Sequence, residues 1–314
     1  MTAGRLAPSP TGAQHLGNAR TYLIAYWSAR SLGKRLVLRI EDIDSPRVKP
    51  WAVQQAIDDL RWLGISWDEG PDIGGPHEPY IQTLRRSRYE EALEHLISIN
   101  RVYPCTCSRR DIAEAGSAPH FEHEGHVYPG TCATWSKGDP LPESGSYCWR
   151  FRITENLVHF DDLVGGSQSC SPARHLGDFP VTQKSGNISY HLAVVCDDHS
   201  MGITEVVRGD DLLPSTFRHL DLATVIGMTP PQYAHVPLVL GPDGRRLAKR
   251  HGDTRLATLR QRGITPEQIV GWAAHSAGFI DDLQRCQADD VIESFSWDKL
   301  HRQPVIADDT FGLS

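Results

Sequence analysis

Apolar and polar positions alternate in two rhythms along the first hundred residues. "GRLAPS" reads as a short strand, and the helical repeat of "TYLIAYWSARSLGKR" predicts a helix from about Asn18 to Leu32. A Pro- and Gly-rich turn separates them. "RLVLRIEDID" has the apolar density of a buried strand and ends in acids. In "WAVQQAIDDLRWLG" the residues Ala52, Val53, Ala56, Ile57, Leu60 and Leu63 recur at helical spacing, and Gly64 supplies the stop. "YIQTLRRSRYEEALEHLISIN" predicts another long amphipathic helix. Strand, helix, strand, helix is the pattern of a doubly wound, parallel α/β sheet.

Over residues 103–189 the texture changes to Cys, His, Gly and Pro, with short strands in "SYCWRFRI" and "LVHFDDLV". This predicts an inserted subdomain, not a continuation of the sheet. The alternation resumes with "ISYHLAVVCDD", "GITEVVRG" and the helix "STFRHLDLATVIG", and a strand-like "YAHVPLVLG" leads into "PDGRRLAKRHGD". "TPEQIVGWAAHSAG" is helical in pattern. The expected organisation is a sheet domain in two halves, 1–102 and 190–243, split by the insertion and followed by a loop and short helical region over 244–314.

Composition narrows the class. The 314 residues are 39% hydrophobic and 23% charged, as in an ordinary globular protein. No apolar run approaches the roughly 18 residues of a membrane helix, and "MTAGRLAPSP" lacks the basic, apolar and small-residue series of a signal peptide. A cytoplasmic location without a membrane partner is the expectation. The net charge of -7 argues against a bulk electrostatic nucleic-acid binder but leaves room for a local basic patch. "RRSR" from Arg85 and the pair Arg109 and Arg110 read as solvated helix faces; "GRRLAKR" lies between a Gly-Pro turn and "HGD" and reads as a working loop. Seven cysteines, an odd count, exclude a simple disulfide framework. Cys148, Cys170, Cys196 and Cys286 are expected to be scattered, buried free thiols.

Three places carry candidate chemistry. The turn between the first strand and helix aims backbone N–H groups and a helix N-terminus at one point, a phosphate site to which His15 adds a donor. In "GRRLAKRHGD" a lysine flanked by arginines suits a departing phosphate whose charge grows as it leaves. Cys105-x-Cys107 and Cys132 are three thiolates across a gap with three histidines, so residue chemistry nominates a zinc site completed by His120, His123 or His126.

The series "RLAPSPTGAQHLGNARTYL", "LRIEDID", "LGISWDEGP", "YPCTCSRRDI", "YHLAVVCDD", "VVRGDDLLPST" and "RLAKR" resembles, in order and up to about Ala277, the glutamate-activating class I aminoacyl-tRNA synthetases. "VVRGDDLLPST" is nearer to the short branch of that family than to the "RGEDH" of its full-length members. The resemblance implies a class I Rossmann-type catalytic domain with an inserted, zinc-containing, acceptor-binding-like α/β subdomain that contacts tRNA. It also implies a short C-terminal helical region and no anticodon-binding domain after Lys249. "HLGN" takes the place of the "HIGH" motif and "RLAKR" that of "KMSKS", which makes His15 and Lys249 catalytic and assigns ATP to Pro8, Thr11, Gly12, His15, Gly17, Asn18, Arg246 and Lys249. L-glutamate falls to Arg5, Ala7, Ser9, Glu41, Tyr190 and Arg208. The family's Cys-x-Cys, Tyr-x-x-x-Cys pattern makes Tyr128 the fourth zinc ligand beside Cys105, Cys107 and Cys132.

These residues suit that substrate. Two arginines meet two carboxylates, Glu41 balances the ammonium, Ser9 and Tyr190 supply hydroxyls, and a glutamine side chain would leave one guanidinium partly unpaired. Which arginine takes which carboxylate stays open at this level. The implied reaction is ATP-dependent formation of glutamyl-adenylate, with Mg²⁺ on the phosphates, and transfer to the queuosine base at the wobble position of tRNA(Asp). No obligate protein partner is implied. A truncated glutamate–tRNA ligase charging the terminal ribose, and a non-catalytic tRNA-binding regulator, are the alternatives. Two departures bear on rate: Arg246 and Ala248 replace the first lysine and the serine of Lys-x-Ser-Lys, and Asn18 replaces the second histidine of the first motif.

Overall fold

The computed structural model describes residues 2–10, 14–43, 50–115, 126–154, 156–241, 243–245, 247 and 254–307. In chain order the first half contains β1 (Ala3–Leu6), α1 (Leu16–Ser31), β2 (Arg35–Leu38), α2 (Pro50–Trp62) and α3 (Arg86–Ser98). The insertion contains β3 (Val102–Cys105), α4 (Arg109–Ala115), β4 (Cys148–Phe151), β5 (Val158–Asp162), β6 (Gly166–Cys170), α5 (Pro172–His175) and β7 (Phe179–Pro180). Then come α6 (Tyr190–Ser200), β8 (Glu205–Gly209), α7 (Leu213–Val225), β9 (Gln232–Val236), β10 (Val239–Leu240), α8 (Leu256–Gln261), α9 (Pro266–Ala277) and β11 (Val305–Ile306).

The parallel layer is assembled from both halves. β1 pairs with β2 in parallel, Ala3 opposite Arg35, and β8 pairs with β9 in parallel, Glu205 opposite Gln232. Thr204 N donates to Ala3 O at 2.8 Å and so sets β8 beside β1. All of β1 and most of β2 and β8 are buried, as a sheet covered on both faces requires. Helix α1 is buried around most of its circumference: Leu16, Leu23, Ile24 and Trp27 are inaccessible, and Arg20 reaches Pro237 O at 3.0 Å. Its N-terminus points to the C-terminal edge of β1, where open α/β sheets bind ligands. Gly64 adopts φ 81° just beyond α2, a left-handed stop that a side chain would strain.

Between the two parallel pairs the chain forms an antiparallel β3–β4–β7 sheet and a β5–β6 hairpin. The hairpin is not free-standing, because Leu163 N at the end of β5 donates to Tyr233 O in β9 at 2.9 Å. Two expectations need correction. Arg85 does not lie on a solvated face: its side chain is fully buried and grips Asp197 at 2.6 Å, with Nη1 on the carbonyls of His77 and Pro79. "YAHVPLVLG" is not one strand; Pro237, which has no N–H to donate, divides it into β9 and β10.

Candidate active site

His15 occupies the N-cap of α1. Its Nδ1 accepts from Asn18 N at 3.3 Å, and Asn18 Oδ1 accepts from His15 N at 3.1 Å, a closed capping box. A neutral imidazole that accepts at Nδ1 carries its proton on Nε2, so the ring is set as a donor at that atom. Asn18 therefore has a physical task beside the histidine. At Gly17 a Cβ would stand 3.2 Å from His15 Nδ1 and 3.4 Å from Val239 Cβ, so the glycine makes room for the ring.

Thr11, Gly12, Arg246, Ala248 and Lys249 lie outside the described residues, as do His120 and His123. The flanks of the second loop are described. Leu247 is buried and its N–H meets Val239 O at 3.5 Å; beyond the loop His15 and Arg255 form an antiparallel bridge, and Leu256 N donates to Gln14 O at 2.9 Å. Leu247, and Arg255 and Leu256 just past the loop, are thus tied to the surroundings of the α1 N-terminus.

Beside this point the charges separate. Arg5, on β1, is buried; its Nη1 donates to Val207 O at 3.0 Å and its Nε has no hydrogen-bond partner. Arg208, on β8, lies buried between Tyr190 OH at 3.3 Å, Leu212 O at 3.2 Å and Thr216 Oγ1 at 2.6 Å. Neither arginine forms an ion pair among the described residues. On the other side Glu41 accepts from Arg39 Nη2 at 2.8 Å, and Arg39 also meets Asp198 at 2.8 Å and Asp197 at 3.7 Å. With Arg85 on Asp197, this buried group holds three carboxylates against two guanidiniums. It has room for one further cation, just as the two unpaired arginines have room for anions.

Tyrosines line the space between. Tyr190 opens α6; burial raises its pKa, with the positive charges of Arg208 and Arg5 opposing and the negative charge of Glu41 adding. Burial likewise raises Tyr22, reinforced by Glu41 and opposed by Arg5, and its hydroxyl meets Gln14 Oε1 at 3.4 Å. Ala7 is half-buried, Pro8 is buried and accepts from Glu41 N at 3.1 Å, and Ser9 is exposed. Sequence reasoning missed Tyr22, Arg39 and Asp198. Arg39 had a readable signal, because the strand-like reading of "RLVLRIEDID" puts residues two apart on one face and Glu41 is two away, although β2 itself ends at Leu38.

The insertion gathers the three thiols. The Sγ atoms of Cys105, Cys107 and Cys132 lie within 4.8 Å of one another. Cys107 and Cys132 are 3.7 Å apart, and Tyr128 OH stands 3.4 Å from Cys105 Sγ and 3.8 Å from Cys107 Sγ. A tetrahedral zinc with Zn–S about 2.3 Å and Zn–O about 2.0 Å requires edges of about 3.8 Å between sulfurs and about 3.5 Å from sulfur to oxygen. The donor set therefore fits a zinc ion. His126, the one candidate histidine that is described, is exposed and lies outside the cluster. Cys148 is not a scattered thiol: it is opposite Cys105 in the β3–β4 register, and its S–H pulls the Cys105 thiol down to about 4 against burial, with Arg150 and Tyr128 assisting. Arg150 also stacks 4.0 Å from the centre of the Tyr128 ring.

Residues 2–310 match the family model described as "tRNA synthetases class I (E and Q), catalytic domain". The chain is 53% identical to a glutamyl-Q tRNA(Asp) synthetase of Rhodopirellula baltica, over 97% of this chain and 96% of that one. It is 38% identical to a glutamate–tRNA ligase of Heliobacterium modesticaldum, over 97% of this chain and 62% of that one. A crystal structure of a glutamate tRNA ligase from Elizabethkingia meningosepticum, in complex with its amino acid, superposes with TM-score 0.82 at 30% identity, over 99% of this chain and 68% of that one. No helix among the described residues is long and apolar enough to cross a membrane. By the extent of these matches and by its fold, the chain belongs to the class I tRNA synthetase family of the glutamate and glutamine enzymes, whose catalytic domain it carries.

Proposed function

We propose that the protein activates L-glutamate with ATP and transfers it to the queuosine base at the wobble position of tRNA(Asp). The observation that carries the first half is the charge layout. Two buried guanidiniums without ion pairs and a buried group with one carboxylate in excess all act on Tyr190, the complement of an amino acid with two carboxylates and one ammonium. In this reading Arg5 and Arg208 take the carboxylates, Glu41 takes the ammonium and Tyr190 orients the chain. Ser9 and Ala7 close the near side.

The chemistry needs no side-chain nucleophile. An oxygen of the α-carboxylate attacks the α-phosphorus of ATP, the bond to the bridging oxygen breaks, and pyrophosphate leaves with that electron pair. His15 Nε2–H donates to a phosphate oxygen at the α1 N-terminus, with Gly17 and Asn18 setting the ring, while Pro8, Thr11 and Gly12 shape the turn. Lys249, with Arg246, takes up the charge gathering on pyrophosphate. Mg²⁺ bound to ATP would supply further neutralisation of the phosphates. A nucleophile on the tRNA then attacks the acyl carbonyl and AMP leaves. Positioning and charge stabilisation are the enzyme's contribution.

The second half rests on similarity. Identity is 53% and 46% to two glutamyl-Q tRNA(Asp) synthetases, with 96% and 95% of their length covered, against 38% and 62% for the glutamate–tRNA ligase. The metal loop supports an RNA-facing role for the insertion, since the adjoining Arg109 and Arg110 are exposed. Zinc held by Cys105, Cys107, Tyr128 and Cys132 would stabilise that loop. Glutamate-dependent exchange of labelled pyrophosphate into ATP tests the activation step. Exchange is expected with L-glutamate and not L-glutamine, and Lys249→Ala should abolish it while L-glutamate still binds. An unchanged exchange rate in Lys249→Ala would remove that residue from the mechanism.

A further inference from the structure

Every N–H of Arg208 is directed at a neutral acceptor. Nη2 donates to Thr216 Oγ1 and Leu212 O, Nη1 to Tyr190 OH and, at 3.5 Å, to His219 Nδ1, and Nε to His235 Nε2 at 3.1 Å. The opposite nitrogen of His235 meets a carboxylate: Nδ1 is 2.6 Å from Asp162 Oδ2. The other oxygen of Asp162 accepts from Val164 N at 2.9 Å and Gly165 N at 2.8 Å. Asp162, His235 and Arg208 are all almost wholly buried. They come from β5 in the insertion, β9 and β8.

We propose that Asp162 and His235 are positioning residues for Arg208: the carboxylate holds His235 as the Nδ1–H tautomer, so that Nε2 accepts from Arg208 Nε and fixes the guanidinium toward the glutamate carboxylate. The inference rests on the assignment of Arg208 to glutamate. A carboxylate placed directly on Arg208 would orient it equally well but would cancel the charge the substrate must find. An interposed neutral imidazole orients without cancelling. Arg39, surrounded by Glu41, Asp197 and Asp198, shows the other solution, that of a structural arginine. The environment keeps the imidazole neutral: burial lowers the pKa of His235, with Arg208 assisting, although Asp162 opposes. The two longest contacts of Arg208, both on Nη1, are the ones a substrate carboxylate displaces at least cost.

The link also ties amino-acid binding to the insertion. If β5 shifts on β9, the tautomer lock on His235 loosens and Arg208 with it.

Asp162→Asn is the direct test, because an amide nitrogen cannot accept from His235 Nδ1–H. The ring would take its other tautomer, turn Nε2–H toward Thr216 Oγ1 at 2.9 Å and withdraw the acceptor from Arg208 Nε, the kind of tautomer error that disables a catalytic triad. Equilibrium dialysis with labelled L-glutamate, and KM values from pyrophosphate exchange, should show glutamate affinity falling roughly 10–100-fold with KM for ATP unchanged. His235→Gln keeps an acceptor that needs no tautomer lock. It should bind glutamate within about threefold of the native chain, and should rescue Asp162→Asn when the two are combined. His235→Leu, which has no acceptor, should resemble Asp162→Asn and decides the matter if that variant does not fold. Glutamate affinity unchanged in His235→Leu or in a folded Asp162→Asn overturns the proposal, as does an equal rise in both KM values. Arg208→Ala run in parallel separates the two layers. If it leaves glutamate binding intact, the site assignment fails; if it abolishes binding while Asp162→Asn does not, only the dyad fails.

Discussion

Replacing Arg208 with alanine is expected to weaken L-glutamate binding about a thousandfold while leaving ATP affinity within about threefold, the cost of stranding a buried, desolvated carboxylate being roughly 3–5 kcal/mol. Arg5→Ala should act in the same direction, because Arg5 is the other buried guanidinium without an ion-pair partner and its Nε donor is unused within the protein. The contrast is with Arg39. It already meets three carboxylates, so its removal should appear first as lost thermal stability, with two or more buried acids left unbalanced. Thermal melts and glutamate-binding measurements on the same three proteins distinguish the two kinds of arginine. If Arg39→Met loses glutamate affinity without loss of stability, or Arg208→Ala the reverse, the division between substrate-facing and structural charge is wrong.

Loss of a metal ligand should produce the second large effect, and a selective one. Cys105→Ser is expected to lose its zinc, lower the thermal midpoint and abolish transfer to tRNA, because Cys105 is one of the three clustered thiols and the strand that carries it pairs with β4. Pyrophosphate exchange should survive at a substantial fraction of the native rate, since the cluster belongs to the insertion and the charge layout around Glu41 and Arg208 does not include it. Tyr128→Phe removes one donor and keeps three thiolates. Its zinc should remain stoichiometric, with affinity lower by roughly a hundredfold against a chromophoric chelator. Unchanged affinity in that variant would return the fourth position to a histidine.

Much of this molecule was readable as pattern. The helix near Asn18 to Leu32, the amphipathic repeats of α2 and α3, and the textural break at the insertion follow from periodicity and composition, which report local geometry well. Long-range burial was not readable. "RRSR" has the composition of a solvated face, yet Arg85 is drawn inside by Asp197 more than a hundred residues away. Pro237 announced a break inside "YAHVPLVLG" that the apolar run concealed.

The site divides in the same way. Arg5, Glu41, Tyr190 and Arg208 were assigned through the family's motifs, and the fold gathers them at one edge of the sheet. The groups that hold them were invisible, because His235 and Asp162 are far apart in sequence and meet only when the β5–β6 hairpin closes on β9. Asn18 departs from the family's motif, yet its side chain closes the helix cap by accepting from His15 N, while its backbone N–H sets the His15 tautomer. A single changed letter conveyed the loss of one contact and concealed the gain of another.

The most direct test of the account is where the glutamate goes. Labelled L-glutamate, ATP and the purified protein are incubated with tRNA(Asp) that carries queuosine and with the same tRNA lacking it, and nuclease fragments are then separated. The account predicts label in the anticodon fragment of the queuosine-containing tRNA and none in its counterpart. Label on the 3′-terminal adenosine, or equal labelling of both tRNAs, would contradict it.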